Sequence, residues 1–437
     1  MKLTILGAAI GALLLAGCAS HPQAEQARRF AFGSAAAPAG YTQVAASTTY
    51  DASRGYGFEP GAAQGSYFSV DLPEGNYRVT VTLGDDTRPS TTTVKSELRR
   101  LALENVQTAP GQIVERSFIV NVRTPQIPAV NGVAAGEVKL NVPRETVSEA
   151  WAWDKRLTLE FNGARPAVRT VEITPVQVPT LFLLGDSTVS DQPGEPYNSW
   201  GQMLPRFLKP SVAVANYAQS GETYRDSLSK RRIDKILTQM KPGDTLLMQY
   251  GHNDQKQIAS GKGGPFTTYK AEIKTHVEMV RARGGLPVIV SSMERRRFDP
   301  AGRIQLTLTD YAEAARQSAG ELGVPFIDLH AMSQTLYAAL GVEGSKAAFA
   351  LPAPDRLDNT HHNNYGSYVL AKAIVLGMRQ AKLPVAQHVV DDFSFDPARP
   401  DPVASFAVPP SPGHKAERPA GDEGNRDVRV SSAGGAQ

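Results

Sequence analysis

Four short segments carry side chains that could do chemistry together. Gly185-Asp186-Ser187-Thr188 sets a hydroxyl directly after an apolar run, Leu181–Leu184. Asn216-Tyr217-Ala218-Gln219-Ser220-Gly221, Gly251-His252-Asn253-Asp254 and Asp358-Asn359-Thr360-His361 follow it along the chain. A serine hydroxyl is a poor nucleophile at neutral pH and needs a base within hydrogen-bond reach. Attack on an acyl carbon also needs donors for the oxyanion that forms. Taken alone, Ser187 is more simply a turn residue that caps a helix. The lipase-type Gly-x-Ser-x-Gly elbow is absent, because residue 185 is Gly but residue 189 is Val. His361 and His362 with Asp358 could be drawn as metal ligands, yet no His-x-x-x-His or cysteine pair supports them, so no metal and no cofactor is expected. Gly261-Lys262-Gly263-Gly264 lacks the spacing of a phosphate-binding loop.

These segments need a scaffold that brings them to one edge. From residue 179, strand-like runs at Leu181–Leu184, Val212–Asn216, Thr245–Tyr250, Pro287–Ser292 and Val324–Asp328 alternate with amphipathic stretches. Tyr269, Ile273, Val277 and Val280 recur every three or four residues and share a helix face, and Asn364–Lys382 reads as a long final helix. Near-continuous apolar strands between helices imply a parallel sheet covered on both faces, an α/β domain over residues 179–390. A Ser just past the carboxyl end of its first strand sits where open α/β sheets bind ligands.

Residues 41–178 read differently. Ser66–Val70 and Tyr77–Leu83 alternate apolar with polar at period two, and further strands are expected at Gln112–Val122, Glu137–Val142, Arg156–Phe161 and Ala167–Ile173. Turn signals stand at Gly84-Asp85-Asp86, Asn131-Gly132 and Asn162-Gly163. Short strands without helical period indicate a β-sandwich or jelly roll. Residues 19–40 read as a tether or a first strand, and 391–437, rich in Pro, Ala, Gly and charge, as a disordered tail. At 437 residues, two domains with tails fit ordinary domain sizes, and a net charge of +3 makes no case for nucleic acid.

The four segments in order resemble the signature of the SGNH hydrolases: Gly-Asp-Ser, a Gly, Gly-x-Asn-Asp and Asp-x-x-His. The resemblance implies a three-layer α/β/α fold with a flavodoxin-like sheet and a serine esterase activity. It assigns Ser187 as nucleophile, His361 as base and Asp358 as the acid that orients the imidazole, with the Ser187 and Gly221 N–H groups and the Asn253 amide as oxyanion donors. The Asp-x-x-His spacing selects His361 over its neighbour His362. Asp186 and Asp254 are expected to brace turns by accepting backbone N–H groups.

Leu-Gly-Asp-Ser-Thr-Val, Asn-Ser-Trp-Gly, Tyr-Gly-His-Asn-Asp and Asp-Asn-Thr-His-His-Asn-x-Tyr-Gly, spread over residues 180–382, resemble the rhamnogalacturonan acetylesterases within that family. This implies acetyl removal from an acetylated pectic polysaccharide. The alternatives are another glycan, such as xylan or peptidoglycan, or an SGNH lipase or thioesterase acting on longer acyl groups. Bacterial members often carry an N-terminal sandwich resembling a galactose-binding module, which the strand-rich first domain fits. Trp200, His252 and Arg296 are candidate substrate contacts. Arg296 lies in Glu294-Arg295-Arg296-Arg297, whose planar forks would suit a uronate carboxylate, although a solvated charge run is an equal reading. Lys230-Arg231-Arg232 is expected on the wet face of a helix.

The first residues suggest export. Lys2 precedes an apolar stretch, Leu3–Leu15, that ends in Leu15-Ala16-Gly17-Cys18. This resembles a bacterial lipobox over residues 1–18, with Cys18, the single cysteine, as the lipidated residue; Ala19 after it resembles outer-membrane sorting. The alternative is an ordinary signal peptide cleaved at a small-residue site. A membrane partner is expected only through that anchor.

Overall fold

The computed structural model describes residues 27–33, 36–60, 66–413, 418–420 and 428–429. The export segment and Cys18 lie outside the described residues. The first layer pair is a β-sandwich. One sheet runs in the order β2 (Thr42–Val44), β1 (Arg28–Phe32), β12 (Val168–Pro175), β5 (Gly75–Leu83), β8 (Val114–Val122). The other runs β3 (Tyr56–Phe58), β4 (Tyr67–Asp71), β11 (Arg156–Arg165), β6 (Ser90–Ser96), β7 (Arg100–Thr108). Their inner faces meet through Phe30, Phe68, Val79, Val81, Phe118, Leu157, Leu159 and Val171, all buried. The alternation in β5 is what places Tyr77, Val79, Val81 and Leu83 on that inner face.

Several expectations change here. Residues 28–32 are a first strand, paired with β12, so the sandwich begins before residue 41. Asn162-Gly163 is no turn: it lies inside β11, where the register against β6 shifts as in a bulge. The strand expected at Glu137–Val142 shrinks to β10 (Gly136–Glu137), paired with β9 (Gln126–Ile127). The hairpin of β6 and β7 escapes the sequence reading, because its Ser- and Thr-rich first strand carries little apolar alternation.

The α/β domain holds a five-stranded parallel sheet: β14 (Ala213–Asn216), β13 (Thr180–Gly185), β15 (Thr245–Gln249), β16 (Leu286–Val290), β17 (Phe326–Ile327). In chain order this is 2-1-3-4-5, the flavodoxin-like arrangement, with its switch point between β13 and β15. Successive residues of β13 face opposite cores. Leu181 and Leu183 pack with Trp200 and Met203 of α1 (Trp200–Met203) and with α8 (Asn364–Gln380). Phe182 and Leu184 pack with α3 (Arg232–Gln239) and α5 (Lys270–Arg281). The two domains share these cores, since Leu101 of β7 joins the first and Leu98 and Trp153 join the second.

The C-terminal segment is the largest correction. Residues 391–413 fold back over the molecule instead of forming a disordered tail. Phe393, Phe395 and Phe406 pack on the α8 core and Val408 is buried. Beyond them Lys95 Nζ donates to Pro409 O (2.8 Å) and Ser411 Oγ (2.7 Å), and Tyr67 Oη donates to Pro412 O (2.7 Å). A Pro-rich strap without period holds because side chains from both domains satisfy its carbonyls. Deleting residues 391–437 is expected to cost at least about 3 kcal/mol from lost apolar burial. A urea midpoint unchanged by the deletion would contradict that packing.

Candidate active site

Each chemical segment leaves the carboxyl end of a sheet strand or enters a helix. Gly185 ends β13 so close to β15 that a Cβ would sit 2.6 Å from Gln249 O, which is why no larger residue fits before the serine. Asp186 then braces the turn: Oδ1 accepts from Thr188 N (3.0 Å) and Thr188 Oγ1 (2.7 Å), while Oδ2 meets His252 Nδ1 at 3.2 Å. Burial acts to raise the Asp186 carboxyl, and the His252 imidazole with these donors holds it below its ordinary value.

Asp358 organises the other side. Oδ1 accepts the backbone N–H groups of Thr360 (2.8 Å) and His361 (2.9 Å), folding the chain into a tight Asx turn. Oδ2 lies 2.9 Å from His361 Nδ1. One carboxylate therefore sets both the backbone and the ring, so a spacing of three suffices without a helix. Burial opposes ionisation, but the His361 charge and the backbone donors outweigh it and hold Asp358 well below the usual carboxylate range. With Nδ1–H donating to Asp358, the Nε2 lone pair faces Ser187 Oγ at 2.9 Å. Ser187 and His361 are only 3% and 2% exposed, so the pair works in a desolvated setting.

Beside this pair stand the Gly221 and Asn253 segments. Gly221 has φ +81°, a left-handed conformation open to glycine, with Ala420 of the C-terminal segment against it. Asn253 Nδ2 donates one hydrogen to Glu222 O (3.2 Å), which fixes the amide next to Gly221 and leaves its second hydrogen to donate. The structure thus brings Ser187, His361 and Asp358 together and links the Gly221 and Asn253 segments to each other.

The tentative substrate contacts fare differently. Trp200 is buried in the core, its Nε1–H donating to Gln249 Oε1 at 2.7 Å, so it supports the Ser187 turn. Gln249 in turn donates to Thr188 Oγ1 (2.6 Å). Arg296 is also buried: Nε donates to Ser345 Oγ (3.0 Å) and Nη2 to Val342 O, at the end of α7 (Leu329–Gly344). Its fork is engaged inside the fold, which removes it as a uronate clamp. Glu294 is buried too and accepts from Arg295 N, Thr307 N and His330 Nε2, so the run is an internal network over Glu294–Arg296, with Arg297 exposed. His252 is 2% exposed, oriented through Nδ1, and among the described residues its buried Nε2 has no partner. Arg232 corrects the wet-face expectation: fully buried, it donates to Glu145 (2.6 and 3.0 Å) and to Glu222 (2.6 Å).

His362 has a different office from its neighbour. Its Nε2 accepts from Tyr337 Oη (2.8 Å), and its ring lies 4.2 Å from that of Phe349. Burial, then the His361 charge, pushes its pKa down from 6.5 to about 3, so it stays neutral. Sequence reasoning missed Arg418, whose Nη2 lies 3.9 Å from Asp358 Oδ2 and which sits in a segment without any periodic signal.

With the fold and this geometry in place, the family follows. The profile of the GDSL-like Lipase/Acylhydrolase family matches residues 183–366. The chain belongs to this family, and it is an esterase with the SGNH fold. It is 38% identical over 226 residues to the rhamnogalacturonan acetylesterase RhgT of Bacillus subtilis, a match spanning 49% of this chain and 95% of that protein. An uncharacterised Bacillus subtilis esterase, YxiM, is 27% identical over 384 residues, across 80% of this chain and 90% of its own. The solved YxiM structure covers 82% of this chain and 99% of that one, at 23% identity and a TM-score of 0.45.

A pH test follows from His362. Between pH 6.5 and 3 the unfolded chain binds a proton at this site that the native state refuses, so its contribution to stability falls as pH falls. Replacing it, as in His362→Gln, removes that uptake. From pH 7 to 4.5 wild type should lose roughly 2–3 kcal/mol more than the variant. Equal losses in urea titrations at the two pH values would contradict a neutral buried imidazole.

Proposed function

We propose that this chain is an exported carbohydrate acetylesterase that removes acetyl groups from pectic rhamnogalacturonan through a Ser187 acyl-enzyme. The observation that carries the chemistry is the buried relay Ser187 Oγ–His361 Nε2–Asp358, at 2.9 Å per step. In this reading Ser187 Oγ attacks the acetyl carbonyl carbon as its proton moves to His361 Nε2, and Asp358 stabilises the imidazolium. The Ser187 and Gly221 N–H groups and Asn253 Nδ2 receive the oxyanion. Collapse returns the proton to the departing sugar oxygen and leaves acetyl on Ser187. Water, deprotonated by His361, then attacks that ester and releases acetate.

The substrate reading is supported by the likeness to a protein named as a rhamnogalacturonan acetylesterase. Acetate release from acetylated rhamnogalacturonan, acetylated xylan and peptidoglycan, measured side by side, tests it. Rhamnogalacturonan should react fastest and Ser187→Ala should release none; a faster rate on another glycan, or on long-chain nitrophenyl esters, would overturn the substrate. Asn253→Ala should fold normally and lose about 10²–10³-fold in kcat.

Export rests on the Lys2 and Leu3–Leu15 pattern, and anchoring on Leu15-Ala16-Gly17-Cys18. Incorporation of labelled palmitate in bacterial cells, lost on Cys18→Ala, is the expected outcome. Equal labelling of the variant would remove the anchor.

A further inference from the structure

The loop that follows the nucleophile, residues 191–198, has little regular structure, yet it must present Ser187 to a histidine borne on another segment. Several of its polar groups are satisfied from the other domain. At the β6–β7 turn of the sandwich, Arg99 and Arg100 point into it, 1% and 2% exposed. Arg100 forks Asp191, with Nη2 at 2.6 Å and Nε at 3.0 Å from Oδ2. Asp191 Oδ1 also accepts from Asn216 Nδ2 (3.0 Å), and the same amide group donates to Val189 O (2.8 Å), two residues beyond Ser187.

Arg99, in a left-handed conformation at φ +60°, grips more widely. Nη1 donates to Tyr197 O (2.6 Å) and Gln192 O (3.2 Å), and Nη2 pairs with Glu195 (2.6 Å), all on the nucleophile loop. The same Nη2 donates to Asn364 Oδ1 (3.1 Å), at the start of α8 and three residues past His361. Gln192 Nε2 donates to the Ser187 carbonyl (2.7 Å), so the Arg99 contact is one residue from the nucleophile's own backbone. Tyr197 stands edge-on to the His361 ring, with centroids 6.0 Å apart at 89°. One guanidinium thus touches both halves of the catalytic pair's support. Its planar fork is required for this, since a point charge on a flexible stem cannot hold several carbonyls in fixed directions.

We propose that Arg99 and Arg100 of the β-sandwich are positioning residues for catalysis, Arg99 fixing the separation of Ser187 and His361 and Arg100 fixing the loop that carries Ser187. The sandwich is then part of the esterase machinery, whatever glycan it contacts. This rests on the roles proposed for Ser187 and His361, and Ser187→Ala in parallel separates the two claims: an inert Ser187→Ala beside an unaffected Arg99 variant would leave the esterase site standing and remove only the clamp.

The test is steady-state kinetics of the full chain on 4-nitrophenyl acetate, with folding checked by near-ultraviolet circular dichroism. Arg99→Lys keeps the charge facing Glu195 but loses the fork. It should lower kcat roughly 10- to 100-fold, as expected for a small misplacement of reacting groups, with KM within about twofold of wild type. Arg100→Lys should shift kcat in the same direction. A folded Arg99→Lys enzyme with wild-type kcat would overturn the proposal. Should Arg99→Lys fail to fold, Asn364→Ala removes the anchor on the His361 side, whose Oδ1 accepts from Arg99 and Asn198 and whose Nδ2 donates to Glu195: a kcat loss at unchanged KM supports the clamp, and a wild-type kcat overturns it.

Discussion

The contact between Ser187 Oγ and His361 Nε2 joins residues 174 positions apart, and nothing local makes it. Each group stands on irregular chain just beyond a regular element. Their meeting at 2.9 Å is a property of the whole α/β domain. The parallel sheet sends β13, β14 and β15 to the same edge, which delivers the Ser187, Gly221 and Asn253 segments to adjacent loops. Helix α8 approaches that edge from its own N-terminus, and the Asx turn at Asp358 aims the imidazole before the helix begins.

Where its domains meet, the protein buries several ion pairs. Arg232 lies between Glu145, on the stretch before β11 of the sandwich, and Glu222, next to Gly221. Lys95 of β6 faces Glu160 of β11 and the C-terminal strap. Arg99 and Arg100 reach the loop that follows Ser187. Buried ion pairs contribute little net stability, because desolvation offsets much of the attraction, whereas breaking one leaves a charge stranded. What they supply is direction: each fork fixes the place of a loop that has no ladder of its own. At Glu195 burial acts to raise the carboxyl, and Arg99 with Asn364 and the Ser411 N–H outweighs it and keeps the group ionised.

The candidate site was legible in the sequence because its residues are contiguous in four motifs and each follows a strand or precedes a helix that announces itself by pattern. Strands such as Thr245–Gln249 and helix Lys270–Arg281 were recognised within a few residues for the same reason. Trp200, Arg232 and Arg296 were misread because their partners, Gln249, Glu145 and Ser345, lie 49, 87 and 49 residues away. A polar side chain looks exposed in a sequence until its acceptor is known. The C-terminal strap was unreadable for a related reason: it has no period, and its order comes from donors such as Lys95 and Tyr67 more than 300 residues upstream. Arg99 and Arg100 gave no signal beyond two adjacent charges in a turn.

The central claim is that a single buried serine, activated by His361, carries the reaction. Treating the full chain with a fluorophosphonate ester and mapping the adduct by peptide mass spectrometry tests it most directly. Phosphonylation confined to Ser187, in step with loss of esterase activity and nearly absent in His361→Ala, is the predicted result. An adduct on another serine, or full inactivation with Ser187 unmodified, would contradict it.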